Sequence, residues 1–168
     1  MRRRGLLTLG LGAAVGLALV GGGLALQQPV LVAGRLAAPA RGLFVAVGRA
    51  VLAGSLPTEP AAQAQALLAW LGRLDDSIAA LPPHTQAELG QLLAVLVSAP
   101  GRWTLAGLRT DWPQASVAEV QAALEAMRHS RLALRQQAYF ALRDLSAAAY
   151  FAAPETWFAL GYPGPMDL

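Results

Sequence analysis

The sequence predicts an all-α protein, a small helical bundle of about five helices preceded by an N-terminal signal or anchor helix. Three observations lead there. Apolar residues recur at steps of three and four through most of the chain. Capping residues and Pro or Gly stops bracket those stretches. No alternating apolar and polar run of useful strand length interrupts them. By composition the chain divides into a leader at 1–40, a helical bundle at 41–152 and an aromatic, Pro- and Gly-containing tail at 153–168.

The leader opens with Arg2-Arg3-Arg4, and no charged side chain follows from Gly5 to Gly34. Leu6 to Leu26 is apolar and long enough to span a bilayer, and the basic start places that end in the cytoplasm and the body on the far side. Arg3, Arg4, Leu6 and Leu7 fit the twin-arginine export pattern, in an apolar segment diluted by Gly10, Gly12, Gly16 and Gly21 to Gly23. A basic general secretory leader fits a short arginine run as well, with the difference that the twin-arginine translocase carries folded cargo. Two small-residue cleavage motifs compete: Gly23-Leu24-Ala25, and Ala38-Pro39-Ala40 far downstream. An uncleaved helix holding the protein at the inner membrane is the third outcome, and in each case the body is periplasmic.

The first body helix is predicted at Arg41 to Ala53, with Leu43, Val47, Ala50 and Val51 at helical spacing before Gly54-Ser55-Leu56-Pro57 ends it. Thr58-Glu59-Pro60 starts the second, through a capping hydroxyl and a proline in the first turn, and Leu67, Leu71, Leu74, Ile78 and Leu81 form its stripe. Pro82-Pro83 stops it, and Thr85-Gln86-Ala87-Glu88 reads as a capping box that launches Leu89, Leu92, Leu93 and Leu96 as the return arm of an antiparallel hairpin. After Pro100-Gly101, a short turn at Arg102 to Leu108 and a loop to Gln114 carry Trp103 and Trp112, placed to plug the end of the bundle. Ser116-Val117-Ala118-Glu119 is another capping box, and the helical pattern it opens runs to about Ala152 with a joint near His129-Ser130.

Composition narrows the function. The chain is 55% hydrophobic and only 14% charged, against about 25% charged for an ordinary soluble domain. Its net charge of +3 is supplied by the three leading arginines, so the body is nearly neutral and nucleic-acid binding through bulk charge is not expected. All 13 basic residues are Arg, a bias of base composition more than of chemistry. With no Cys, disulfides, thiolate metal sites and thiol nucleophiles are excluded together.

No catalytic constellation stands out, and no catalytic, cofactor-binding or metal-ligating residue is assigned. His84 and His129 lie near helix ends without ligand-spaced partners. Asp75-Asp76 is an adjacent acidic pair whose side chains diverge by about 100° on a helix and read as a solvated face. Arg128, Arg131 and Arg135 line one helical face with Glu125 as the local partner, open either to solvent or to an acidic partner. Seven of the 11 aromatic residues fall in the last 30 positions. Trp and Tyr at such density anchor a tail either on its own bundle or on another chain.

Two segments at that end, Tyr150-Phe151-Ala152-Ala153-Pro154-Glu155-Thr156-Trp157 and Leu160-Gly161-Tyr162-Pro163-Gly164-Pro165, resemble the C-terminal signature of the gluconate 2-dehydrogenase small-subunit family. The preceding helix, with Arg131, Leu132, Arg135, Gln136, Ala138 and Tyr139, is similar too, and the twin-arginine leader is a second shared feature. The resemblance covers about the last 50 residues, and the middle of the chain only as a general helical pattern. It implies a non-catalytic accessory subunit that binds a large flavoprotein of the glucose-methanol-choline oxidoreductase type, with FAD in that partner and a cytochrome c subunit as a further associate. It implies partner contacts at Arg131, Arg135, Tyr139, Tyr150, Trp157, Tyr162, Pro163 and Pro165, and a leader that exports two chains. Since this chain has no Cys, any such complex is held without a disulfide.

Overall fold

A computed structural model of the chain describes residues 29–162, and these are mostly helical. The export residues Arg3, Arg4, Leu6 and Leu7, and the tail residues Pro163 and Pro165, lie outside the described residues. The body consists of α1 (Ala38–Val51), α2 (Pro60–Ala79), α3 (Pro83–Val97), α4 (Val117–Arg128) and α5 (Ala133–Phe151). Between α3 and α4 the chain forms a turn at Ala99–Gly101, a π-helical turn at Arg102–Ala106 and a 3-10 turn at Trp112–Gln114. A 3-10 segment, Pro154–Leu160, follows α5.

Ahead of α1 lies a small antiparallel hairpin absent from the sequence reading, β1 (Leu31–Val32) paired with β2 (Arg35–Leu36) in the register Leu31 to Leu36 and Val32 to Arg35. Its two central residues, Ala33 and Gly34, both have positive φ, 50° and 73°. That is the twist a two-residue hairpin turn requires. At Gly34 a side chain would also press on Gln86 Oε1 and the backbone of Ala79, at 3.0 and 3.2 Å, so the hairpin sits tightly on the joint between α2 and α3.

Helix starts follow local chemistry, with two corrections. α2 is capped by Glu59 instead of Thr58: its carboxylate accepts from the N–H groups of Ala61 and Ala62 at 3.0 and 2.6 Å, with Pro60 in the first turn. The box expected at Thr85-Gln86-Ala87-Glu88 does not form, because α3 already starts at Pro83, whose fixed φ and missing N–H suit the first helical position. Gln86 Nε2 instead donates to the carbonyls of Ala79 and Leu81 at the end of α2. The Ser116–Glu119 box forms as expected.

α1 is the hub. It packs against α2, α3, α4, α5 and the Trp112 turn, and buries Ala40, Leu43, Phe44, Ala46, Val47, Gly48 and Ala50. Each buried Leu, Val or Phe stabilises the fold by about 1.5–3 kcal/mol relative to exposure. α2 makes its main contacts with α5 and α1, and α3 makes its own with α1 and the π-helical turn, so α2 and α3 are not the packed hairpin that their short connection suggested. The Trp70 ring lies directly on Gly48, where a Cβ would come within 2.7 Å of it, and its indole N–H donates to the Ser146 carbonyl at 3.1 Å. One side chain thereby joins α1, α2 and α5.

Trp112 is buried and donates to the Leu96 carbonyl at 2.7 Å, closing one end of the core as anticipated. Trp103 does not share that role. Gly107 ends the π-helical turn in the left-handed region at φ 71°, and Trp103 is left exposed beside it.

Only one member of the acidic pair lies on a solvated face. Asp76 is exposed and pairs with Arg35 at 3.0 Å, but Asp75 is 1% exposed. Its carboxylate accepts the Leu36 N–H at 2.8 Å and pairs with the Arg41 guanidinium. A buried carboxylate is tolerated when it is paired and hydrogen-bonded in this way. The segment from Val30 to Ala40, with Val30, Leu36 and Ala40 buried, is accordingly packed as part of the helical body.

Candidate partner-binding surface

α5 carries three of the eight partner contacts that the resemblance implies, Arg135, Tyr139 and Tyr150, and its pattern explains which faces point outward. Ala138, Leu142, Ser146 and Ala149 recur at steps of four, four and three and are buried against the bundle. The small side chains among them let α1 and α2 approach closely. The opposite stripe, Phe140, Asp144, Ala148 and Phe151, repeats the same steps and is exposed.

Tyr139 and Tyr150 are half-buried on the flank between these two faces, packed against the core, and each meets the following phenylalanine edge-on, with ring centroids 5.3 and 5.2 Å apart. After α5, Thr156 Oγ1 donates to the Ala153 carbonyl at 2.7 Å, and Trp157 Nε1 donates to the Phe151 carbonyl at 2.8 Å. The Trp157 bond satisfies a carbonyl of the last turn of α5 that the helix end leaves without an internal partner. Tyr162 packs on Trp157, with ring centroids 5.6 Å apart, beyond Gly161 at φ 69°. The described part of the tail therefore folds back on the end of its own helix. Phe158 points away and is 80% exposed.

The arginine face is not continuous. α4 ends at Arg128, and α5 begins at Ala133, so the regular three-and-four spacing of Arg128, Arg131 and Arg135 is broken at the joint. Arg128 pairs with Glu125 at 3.2 Å, Arg131 is exposed, and Arg135 turns inward to donate to the Leu105 carbonyl at 2.7 Å. His129 is exposed and contacts Glu125 Oε1 at 2.8 Å, and His84 is exposed near the start of α3.

The geometry thus gathers Tyr150, Trp157 and Tyr162, with Phe151 and Phe158, at the C-terminal end of α5, while Tyr139 and Phe140 lie about three turns earlier on the same helix; the three phenylalanines are exposed aromatics that sequence reasoning did not single out as partner contacts. No protein-family model, curated protein or solved structure matches this chain.

Elsewhere the chemistry is sparse. Among the described residues no group of three or more His, Cys, Asp or Glu side chains is placed to hold a metal ion, and no helix is long and apolar enough to cross a membrane. A shallow groove of about 240 Å³ between α1 and the Trp112 turn is lined by Val45, Arg49, Pro113 and Val117, among others. Two carboxylates are held below their ordinary value of 4.5, both by helix capping. The N–H of Ser116, then its hydroxyl and that of Thr110, stabilise ionised Glu119. The N–H groups of Ala61 and Ala62 do the same for Glu59.

Proposed function

We propose that this chain is a non-catalytic small subunit of a periplasmic FAD-dependent dehydrogenase, and that it supports the folding and twin-arginine co-export of the catalytic subunit. The observation that carries the reading is the pairing of two sequence features in one chain: the Arg3-Arg4 leader and the aromatic C-terminal signature from Tyr150 to Pro165. The exposed Phe151 and Phe158 within and beside that signature support it, since aromatic side chains that a partner can desolvate contribute much of the affinity of an interface.

The logic of export fits. A flavoprotein that binds FAD in the cytoplasm must cross the membrane folded, and a folded-protein route lets one leader carry two chains. The catalytic chemistry and the FAD then belong to the partner, and a cytochrome c subunit would receive its electrons. Purification of a tagged copy from the cell envelope is expected to recover a large FAD-containing chain in stoichiometric amount, and replacing Arg3 and Arg4 by Lys is expected to strand both chains in the cytoplasm. Recovery of this chain alone, with the dehydrogenase exported normally in its absence, rejects the reading.

The uninterrupted apolar run from Leu6 to Leu26 favours a second reading, a free-standing envelope protein anchored by an uncleaved helix. Membrane retention with no flavoprotein attached is the outcome that selects it.

A further inference from the structure

We propose that Trp103 and Arg109, presented side by side around the π-helical turn, form a contact with the flavoprotein subunit, and that Arg135 serves this contact as a positioning residue without touching the partner. The inference rests on the accessory-subunit reading above and adds a surface that lies outside both the leader and the C-terminal signature.

Trp103 is the exception among the tryptophans. Trp70 and Trp112 are each 1% exposed, and Trp157 is half-buried and bonded to the end of α5, whereas Trp103 is 56% exposed. Folding normally covers most of an indole. Its neighbours are covered: Arg102, Leu105, Ala106 and Leu108 are all buried. The inner side of the segment therefore belongs to the core, and Trp103 and Arg109 are left on the outside.

Hydrogen bonds hold both in place. The Leu108 N–H donates to the Arg102 carbonyl at 3.3 Å, the Arg102 guanidinium pairs with Asp111 at 2.7 Å, and the Thr104 hydroxyl donates to the Pro100 carbonyl at 2.9 Å. Trp103 Nε1 donates to the Arg109 carbonyl at 3.4 Å, which ties the indole to the backbone of its companion. From α5, Arg135 Nε donates to the Leu105 carbonyl at 2.7 Å, and its guanidinium leaves only van der Waals room for a Cβ at Gly107, at 3.6 Å. Arg135 is thus engaged with its own chain and braces the turn from behind. A braced side chain loses little freedom on docking, and Trp and Arg are the residue types that contribute most to interfaces.

Arg109 indicates the chemistry of the surface it meets. It is exposed and forms no ion pair among the described residues. The carboxylates nearest in sequence are committed elsewhere, Asp111 to Arg102 and Glu119 to Ser116 and Thr110. The complementary surface on the flavoprotein is an apolar cleft for the indole with a carboxylate beside it.

The test is the affinity of full-length variants for the flavoprotein that the tagged wild-type chain recovers. Trp103→Ala, at an exposed site, is expected to fold as wild type does and to bind about tenfold more weakly or worse. Arg109→Glu, also exposed, is expected to weaken binding as well. Arg135→Met keeps the apolar stem and loses the donor; it is expected to weaken binding, and in combination with Trp103→Ala to add nothing further, because both act through one contact. Wild-type affinity in Trp103→Ala or Arg109→Glu overturns the contact and leaves the accessory-subunit reading standing, whether or not Arg135→Met folds. Losses that multiply in the double variant overturn the positioning role of Arg135. A wild-type chain that recovers no flavoprotein overturns this inference together with the reading beneath it.

Discussion

At the scale of single residues, Asp75 shows how far a side chain's role depends on partners distant in sequence. Four residues after Leu71 and three before Ile78, it shares the face of the buried stripe on α2, but nothing near it in sequence shows what pairs its charge. The hairpin and the start of α1 place the Leu36 N–H and Arg41 over one carboxylate and leave the other in water. Asp75→Ala is expected to lower unfolding free energy by about 2–3 kcal/mol in urea titrations, because a buried N–H loses a charged acceptor. Asp76→Ala, which breaks a solvent-exposed pair, should change it by less than about 1 kcal/mol. Equal effects from the two substitutions would refute the assignment. Arg135 teaches the same lesson: its spacing suggested a surface charge, but a carbonyl of the π-helical turn engages it.

At the scale of elements, spacing along one helix carries much of the information. The stripe Leu67, Leu71, Leu74 and Ile78 is buried as its period requires, the Ser116–Glu119 box opens α4, and the joint after Arg128 lies where His129-Ser130 suggested. Boundaries moved where two signals compete within a few residues: Pro83 starts α3 two residues ahead of Thr85, and Glu59 caps α2 one residue after Thr58 because its longer carboxylate reaches the N–H groups of both Ala61 and Ala62. Capping also has a pH signature. Because Glu59 and Glu119 are held below 4.5 in the folded chain, their stabilisation is complete above that value and is lost as pH falls through the lowered folded pKa. Thermal unfolding should accordingly show a weaker loss of stability between pH 5 and 3, values chosen to bracket that ordinary pKa, in Glu119→Gln than in wild type.

Glycine substitutions separate close packing from helix propensity. Gly48→Ala drives a methyl into the Trp70 ring and is expected to destabilise by about 1–3 kcal/mol. Gly72→Ala meets no atom within 4 Å and should stabilise α2 by up to about 1 kcal/mol. Calorimetric melting points moving in opposite directions would check both.

At the scale of the whole molecule, the packing around α1 determines which face of α5 is available to a partner. α5 buries its small-residue stripe against α1 and α2, so Phe140 and Phe151 face outward, and the fold-back of Trp157 leaves Phe158 exposed beyond them. Phe158→Ser, at a side chain 80% exposed, is expected to keep the wild-type melting temperature to within a degree or two, surface changes costing under about 0.5 kcal/mol. Under the proposed function it should lose most of the flavoprotein recovered with the tagged chain, and unchanged recovery would move the interface elsewhere.

The sequence by itself determined the helical class, the positions of the principal helices and the concentration of aromatics in the last 30 positions, since periodicity, caps and composition all act over a few residues. Only the tertiary structure decided that α1 is the hub, that α2 and α3 part company, that Asp75 is buried, and that the residues from Val30 to Ala40 pack as body. Those outcomes depend on contacts between segments some 40 residues apart, as between Leu36 and Asp75. Such contacts form only when whole apolar faces find one another, and no local pattern encodes which faces will meet.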